Sequence, residues 1–260
     1  MKVTDEYIAK AEAVLDAVVQ EFSPTLLESS GHTAHKVKEN NTPVTELDLA
    51  IEQRLRDLLA ELDSGVGFFG EEHGREGSEE TFWLIDPIDG TEQFVRGIPA
   101  FRTMAVLIDD GEPQYAYVYD IPKSERYTAR RGQGAFCNGQ KLQVSDRPLS
   151  RCWIEFTCDQ TQPEVGLLMA PLRKATRGTR VTGDFTHTPQ GRFEAHLFYH
   201  GTGGLWDWVP WALIIKEAGG RVENLFSTGY DYKNRNFLAA NPVVFDELKA
   251  IVETTLKEPA

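Results

Sequence analysis

The stretch Trp83-Leu84-Ile85-Asp86-Pro87-Ile88-Asp89-Gly90-Thr91-Glu92-Gln93-Phe94 constrains this chain more than any other. The apolar run at 82–85 reads as a buried strand. Pro87 has no amide hydrogen to give to a ladder, so the strand is expected to end at the Asp86 carboxylate. Asp89, Gly90 and Thr91 then read as a turn entering a helix, with Gly90 allowing close backbone approach and the next amides forming a positive helix end. Hard cations such as Mg2+ take oxygen ligands and complete their shells with water and phosphate, which suits two carboxylates facing an anion site. The same residues also suit plain capping and turn formation, and spacing alone leaves both readings open.

Two further acidic sites occur elsewhere. Glu71 and Glu72 sit in Gly70-Glu71-Glu72-His73-Gly74 after the apolar segment 66–69, and Trp206-Asp207 opens an apolar helical run at 209–218 that closes on Gly219-Gly220. Together these pieces resemble the inositol monophosphatase family of magnesium-dependent, lithium-sensitive phosphatases. Asp86, Pro87, Asp89, Gly90, Thr91 and Phe94 fill its Asp-Pro-x-Asp-Gly-Thr-x-x-Phe pattern, and Glu71 and Glu72 match its Gly-Glu-Glu segment. Val44-Thr45-Glu46-Leu47-Asp48 matches Val-Thr-x-x-Asp, Asp207 the aspartate of Trp-Asp, and Ala218-Gly219-Gly220 the Ala-Gly-Gly that ends the following helix. Tyr127-Thr128-Ala129-Arg130 and Gly134-Ala135-Phe136-Cys137-Asn138-Gly139 resemble its middle hairpin region, so the resemblance spans nearly the whole chain.

This resemblance implies a mixed α/β fold, a layered α-β-α-β-α sandwich of the inositol monophosphatase and fructose-1,6-bisphosphatase type; periodicity alone supports only a mixture of helix and strand. It implies two or three Mg2+ ions. Glu71, Asp86 and the main-chain carbonyl of Ile88 would hold one, Asp86, Asp89 and Asp207 a second, and a third would bind more weakly near Glu71. A water oriented with help from Thr91, Asp48 or Glu72 would attack phosphorus, while Asp89, Gly90 and Thr91 hold the phosphate. Lys38, His200 and Trp206 are the candidates on the substrate side.

Pocket residues depart from the inositol-specific pattern. Family members acting on inositol phosphate place an acidic side chain a few residues before Trp-Asp, where this chain has His200, and Trp208, Val209 and Pro210 replace the usual small residues. The implied substrate is a small polyol or sugar phosphate, with inositol 1-phosphate first. Histidinol phosphate, fructose 1,6-bisphosphate and 3′-phosphoadenosine 5′-phosphate are the alternatives. A regulatory binding protein with the same fold is the reading from another class, and the intact Glu71, Asp86, Asp89, Thr91 and Asp207 argue against it. A homodimer is expected, also by resemblance.

Composition sets the remaining bounds. The 260 residues carry 27 basic and 40 acidic side chains, a net charge of −13, with no basic tract, which argues against binding nucleic acid through its phosphates. Bound cations reverse the local field, so an acidic enzyme still accommodates an anionic substrate. Cys137, Cys152 and Cys158 show no metal or disulfide spacing, and a reducing cytoplasm is expected. No export signal or membrane-spanning run is recognised.

Along the chain, Thr4 caps a helix with Ile8, Ala11, Leu15, Val18 and Phe22 on one face, and Ser23-Pro24 is expected to bend or end it. The stretch 29–42 reads as a polar loop. Its His32 and His35 read as ordinary loop histidines, because imidazole matches a magnesium site poorly. A second helix over 45–62 presents Ile51, Leu55, Leu58, Leu59 and Leu62, with Asp48 on the same face at its start. Antiparallel strands are expected at 103–108, 115–119, 127–130 and 132–136. A smaller half begins near 142, giving halves 1–141 and 142–260 of one catalytic unit. In it, strands at 153–157, 193–199 and 236–240 accompany helices at 163–175, 209–218 and 245–256. His196 and His200 are read as extended, not as a zinc pair, and Trp206, Trp208 and Trp211 as core packing or a pocket wall.

Overall fold

In the computed structural model, which describes residues 3–38 and 43–256, helix α1 (Asp5–Ser29) starts where Thr4 accepts the Tyr7 amide at 3.2 Å. Pro24 does not end it. The Ser23 hydroxyl donates to the Val19 carbonyl at 2.6 Å, and the buried Leu26 beyond keeps the last turns seated on the core. Short strands β1 (Lys36–Val37) and β2 (Pro43–Val44) pair antiparallel. Helix α2 (Glu46–Leu62) follows, capped by Thr45, with Ile51, Leu55 and Leu59 fully buried.

The chain divides into two compact units, Met1–Arg131 and Gly132–Ala260. In the first, β3 (Gly67–Gly70), β4 (Gly74–Glu76), β5 (Thr81–Asp89), β6 (Arg102–Asp109), β7 (Glu112–Asp120) and β8 (Glu125–Arg130) lie side by side in the order β8-β7-β6-β5-β3-β4. Helices α1 and α2 bury Leu15, Val18, Leu55 and Leu59 against Trp83, Ile85, Leu107 and Tyr117 of this sheet. Polar groups at the seam are paired: Trp83 Nε1 donates to the Tyr7 hydroxyl at 3.0 Å, and Tyr115 and Tyr117 donate to Glu12 and Asp16 at 2.9 Å each. Every neighbouring pair in the sheet is antiparallel except β3 and β5, which run parallel with Gly70 opposite Ile85.

Strand β5 corrects the expectation that Pro87 ends it. It runs on to Asp89, and its register against β6 slips between the pairs Asp86–Met104 and Asp89–Arg102. Pro87 and Ile88 on β5 there oppose the single Thr103 on β6, which is a bulge, and a residue without an amide hydrogen is tolerated at a bulge. Thr103 donates to the Pro87 carbonyl at 2.9 Å and anchors it. Gly90 follows in the left-handed region at φ +86°, where an added Cβ would lie 2.5 Å from the Ala100 carbonyl oxygen. Only glycine fits there, and it launches the single-turn helix α3 (Thr91–Val95).

The second unit holds the hairpin β9 (Gly134–Cys137) and β10 (Gln140–Lys141), then β11 (Trp153–Cys158), α4 (Pro163–Ala175), β12 (Gly178–Val181), β13 (Ala195–Tyr199), α5 (Leu205–Glu217), β14 (Arg221–Asn224), β15 (Phe237–Ala240) and α6 (Phe245–Leu256). Five of its strands form a mixed sheet ordered β12-β11-β13-β15-β14, with β11 parallel to both its neighbours. Ile154, Phe156, Leu197 and Leu238 pack against Leu168 and Leu172 of α4 and Phe245 and Leu248 of α6. The third strand starts at Ala195, not 193. Glu194 is instead a buried carboxylate that accepts the Trp153 amide and Arg147 Nε, each at 2.6 Å. His196 is buried in extended backbone, stacked on Phe185 and hydrogen-bonded to Thr157 at 2.8 Å. Trp208 and Trp211 are core residues.

Leu55 is fully buried in the first unit's core, so Leu55→Ala is expected to lower unfolding free energy by about 2–5 kcal/mol in chemical denaturation. A loss well under about 1 kcal/mol would contradict the packing.

Candidate active site

Parallel strands run toward the same end of the sheet, and the acidic residues of the first unit follow from that. Since Gly70 faces Ile85 across the β3–β5 pair, the next residues, Glu71 and Asp86, follow side by side where that pairing ends, and the Glu71 amide donates to the Ile85 carbonyl at 3.1 Å. Asp86 is buried, and the bulge returns Asp89 to the same end, so that a carboxylate oxygen of each lies within 4.8 Å of the other.

Asp48 arrives from the start of α2. Its Oδ2 accepts the Thr45 amide at 2.8 Å and the Thr45 hydroxyl at 2.5 Å, completing a capping box, while Oδ1 faces the Thr91 hydroxyl at 3.2 Å. Capping therefore occupies one carboxylate oxygen and leaves the other to Thr91. The Thr91 hydroxyl also lies 2.8 Å from the Ile88 carbonyl, which brings Asp48, Ile88 and Thr91 together around one hydroxyl. Burial pushes the Asp48 carboxyl up, outweighing the hydrogen bonds from Thr45 and Thr91.

Lys38 extends its ammonium to Glu71 at 2.9 Å and to Glu72 at 2.5 Å. Burial opposes the lysine charge, but the bonds to Glu72 and Glu71 hold its pKa above the usual value. Glu72 is pushed up to about 7, chiefly by burial and against the pull of Lys38. Behind this segment stands Glu52, absent from the sequence-based candidates. Its buried carboxylate accepts the amides of Glu72 at 2.8 Å and His73 at 3.1 Å and takes Arg56 Nε at 2.9 Å. The available signal was its spacing, four residues after Asp48 on the same helix face. A side chain on Gly70 would overlap the Glu52 carboxylate, so Gly70 is what lets that carboxylate approach the strand.

Arg102 was also missed. Opposite Asp89 on β6, it places Nη1 3.1 Å from Asp89 Oδ2 and Nε 3.5 Å from Asp120 Oδ2. No sequence pattern marks it, since only the strand register brings it beside Asp89.

Asp207, Trp206 and His200 lie in the second unit, in and just before the first turn of α5. Asp207 Oδ2 accepts the Gly204 amide at 2.5 Å, and Trp206 is half-buried. His200 is exposed at φ +49°, with its amide on Asn236 Oδ1 at 2.9 Å and its carbonyl accepting the Asp159 amide at 3.0 Å. His32 and His35 line a cavity of about 670 Å³ with Thr25, Glu28 and Thr45, between the end of α1 and the start of α2.

The donors gathered at the β3–β5 edge are all oxygen: the Glu71, Asp86 and Asp89 carboxylates and the Ile88 carbonyl. That set fits a hard divalent ion and not a soft one. Lys38 adds a positive charge beside this set, its ammonium binding Glu71 together with the neighbouring Glu72.

Comparison with known proteins agrees with this geometry. The profile of the inositol monophosphatase family matches residues 2–257. An inositol-1-monophosphatase of Caulobacter vibrioides is 30% identical over 228 residues, covering 80% of this chain and 87% of that protein. A protein of Pseudomonas aeruginosa named Nus factor SuhB is 32% identical over 228 residues, covering 82% and 83%. Among solved structures, an IMPase of Thermotoga maritima superposes with a TM-score of 0.82 at 25% identity, covering 93% of this chain and 96% of that one. Among the described residues no helix is long and apolar enough to cross a membrane. Motifs, fold and near-complete coverage converge on one assignment: the chain belongs to the inositol monophosphatase family.

Proposed function

We propose that the protein is a Mg2+-dependent phosphomonoesterase acting on a small polyol or sugar phosphate, with inositol 1-phosphate as the leading substrate. The observation that carries this reading is the close approach of the Asp86 and Asp89 carboxylates, with Glu71 following the β3 residue that faces Ile85 and the Asp48–Thr91 pair alongside. Glu71, Asp86 and the Ile88 carbonyl would hold one ion. Asp86, Asp89 and, by family resemblance, Asp207 would hold a second, with a third near Glu71. Bound Mg2+ supplies charge neutralisation for the phosphate and lowers the pKa of a coordinated water.

The chain's own residues account for positioning and proton transfer. The Thr91 hydroxyl can accept from the attacking water while donating to Asp48 Oδ1, so the proton passes from water to Thr91 and on to Asp48. Glu72, held by Lys38, is the second acceptor on the β3 side. Backbone amides after Gly90 are donors for the phosphate oxygens. Because α3 has a single turn, they act through local hydrogen bonds and not through a summed dipole. No covalent phosphoenzyme is needed.

His200, in place of an acidic side chain, is the departure that keeps histidinol phosphate, fructose 1,6-bisphosphate and 3′-phosphoadenosine 5′-phosphate as the alternatives. The relative named as a Nus factor supports a second reading, a regulatory binding protein. Family resemblance further supports a lithium-sensitive homodimer, and the cysteine usage supports a cytoplasmic setting.

Phosphate release with Mg2+ across these four substrates is the test, with Asp89→Asn as control. Turnover is expected on at least one and is expected to fall by at least about a hundredfold in Asp89→Asn; near-normal turnover in that variant would refute the second ion site. Thr91→Ala is expected to lower kcat by about a hundredfold or more, with KM little changed. An unchanged kcat would remove Thr91 from the proton path. Silence on all four substrates in folded, Mg2+-loaded protein favours an unlisted cyclitol phosphate or the binding role.

A further inference from the structure

A row of alternating charge crosses three strands at the acidic edge. Arg102 on β6 stands in the ladder between Asp89 on β5 and Asp120 on β7, and Lys123 closes the row with its ammonium 2.8 Å from Asp120 Oδ2. Arg102 and Asp120 are both buried, so solvent screens this row weakly. Asp120 also accepts the Lys123 amide at 3.2 Å, which fixes its carboxylate and, through it, the guanidinium.

We infer that Arg102 is a positioning residue that sets how tightly the divalent ion at Asp89 is held. This rests on the reading of Asp89 as a metal ligand. A guanidinium 3.1 Å from Asp89 Oδ2 draws on the same carboxylate that the ion uses, and its fixed charge repels a divalent cation at short range. It also neutralises Asp89 when no ion is bound, which lowers the repulsion among the gathered carboxylates. Both effects act in one direction: Arg102 weakens the ion's hold and makes it readily exchanged. Asp120 moderates this by sharing the guanidinium.

Isothermal titration of the full chain with Mg2+, paired with its Mg2+-dependent thermal shift, tests the inference without an activity readout. Arg102→Gln is expected to bind Mg2+ at least about tenfold more tightly than the parent and to gain more in melting temperature on Mg2+ addition. Asp120→Asn, which leaves the guanidinium to Asp89, is expected to move both readings the other way. Unchanged or weaker Mg2+ binding in a folded Arg102→Gln would overturn the inference. Asp89→Asn separates the two layers: if it binds Mg2+ like the parent, Asp89 is not a ligand and both readings fall. If it loses an ion while Arg102→Gln is unaltered, only the role of Arg102 falls.

Discussion

Parallel pairing of β3 with β5, Gly70 opposite Ile85, is the constraint from which the acidic edge follows. Antiparallel neighbours would carry Glu71 and Asp86 to opposite ends of the sheet. Here Glu71 and Asp86 follow side by side where the β3–β5 pairing ends, and the bulge at Pro87 keeps Asp89 at the same edge as β5 runs on. Gly90 then reverses the backbone into a conformation that a residue with a Cβ would resist. Each step is local and needs its own residue type, which is why so compact a motif carries so much of the fold's information.

Gathering carboxylates has an electrostatic cost, and the first unit answers it with cations set beside them. Lys38 sits on Glu71 and Glu72, Arg56 on Glu52, and Arg102 between Asp89 and Asp120. These pairs are wholly or largely buried, so removing one partner of a pair leaves an uncompensated charge and costs more than the pair contributes. Glu52 has a second task, since two backbone amides of the Glu72-His73 segment end on its carboxylate.

Most helices were legible because apolar spacing and caps agree locally: α4 and α6 fall at their expected bounds, and Thr4 and Thr45 cap as their sequence context implies. The misses have physical causes. Pro24 is expected to bend or end α1 and Pro87 to end its strand, but a tertiary core holds α1 beyond the first proline and a bulge absorbs the second. The short edge strands β12 and β14 have no apolar run to announce them. Glu71, Asp86, Asp89 and Thr91 were visible as motif residues, whereas Glu52 and Arg102 act through register and helix facing, which a linear pattern encodes weakly.

The central claim is that divalent ions occupy the end of β5. Anomalous diffraction from crystals soaked in Mn2+, a stand-in for Mg2+ with oxygen ligands, tests it most directly. Density is expected within bonding distance of the Asp86 carboxylate, with Glu71 and the Ile88 carbonyl on one side and Asp89 on the other. Fully ordered carboxylates with no anomalous peak among them, at Mn2+ concentrations that saturate activity or binding, would contradict it.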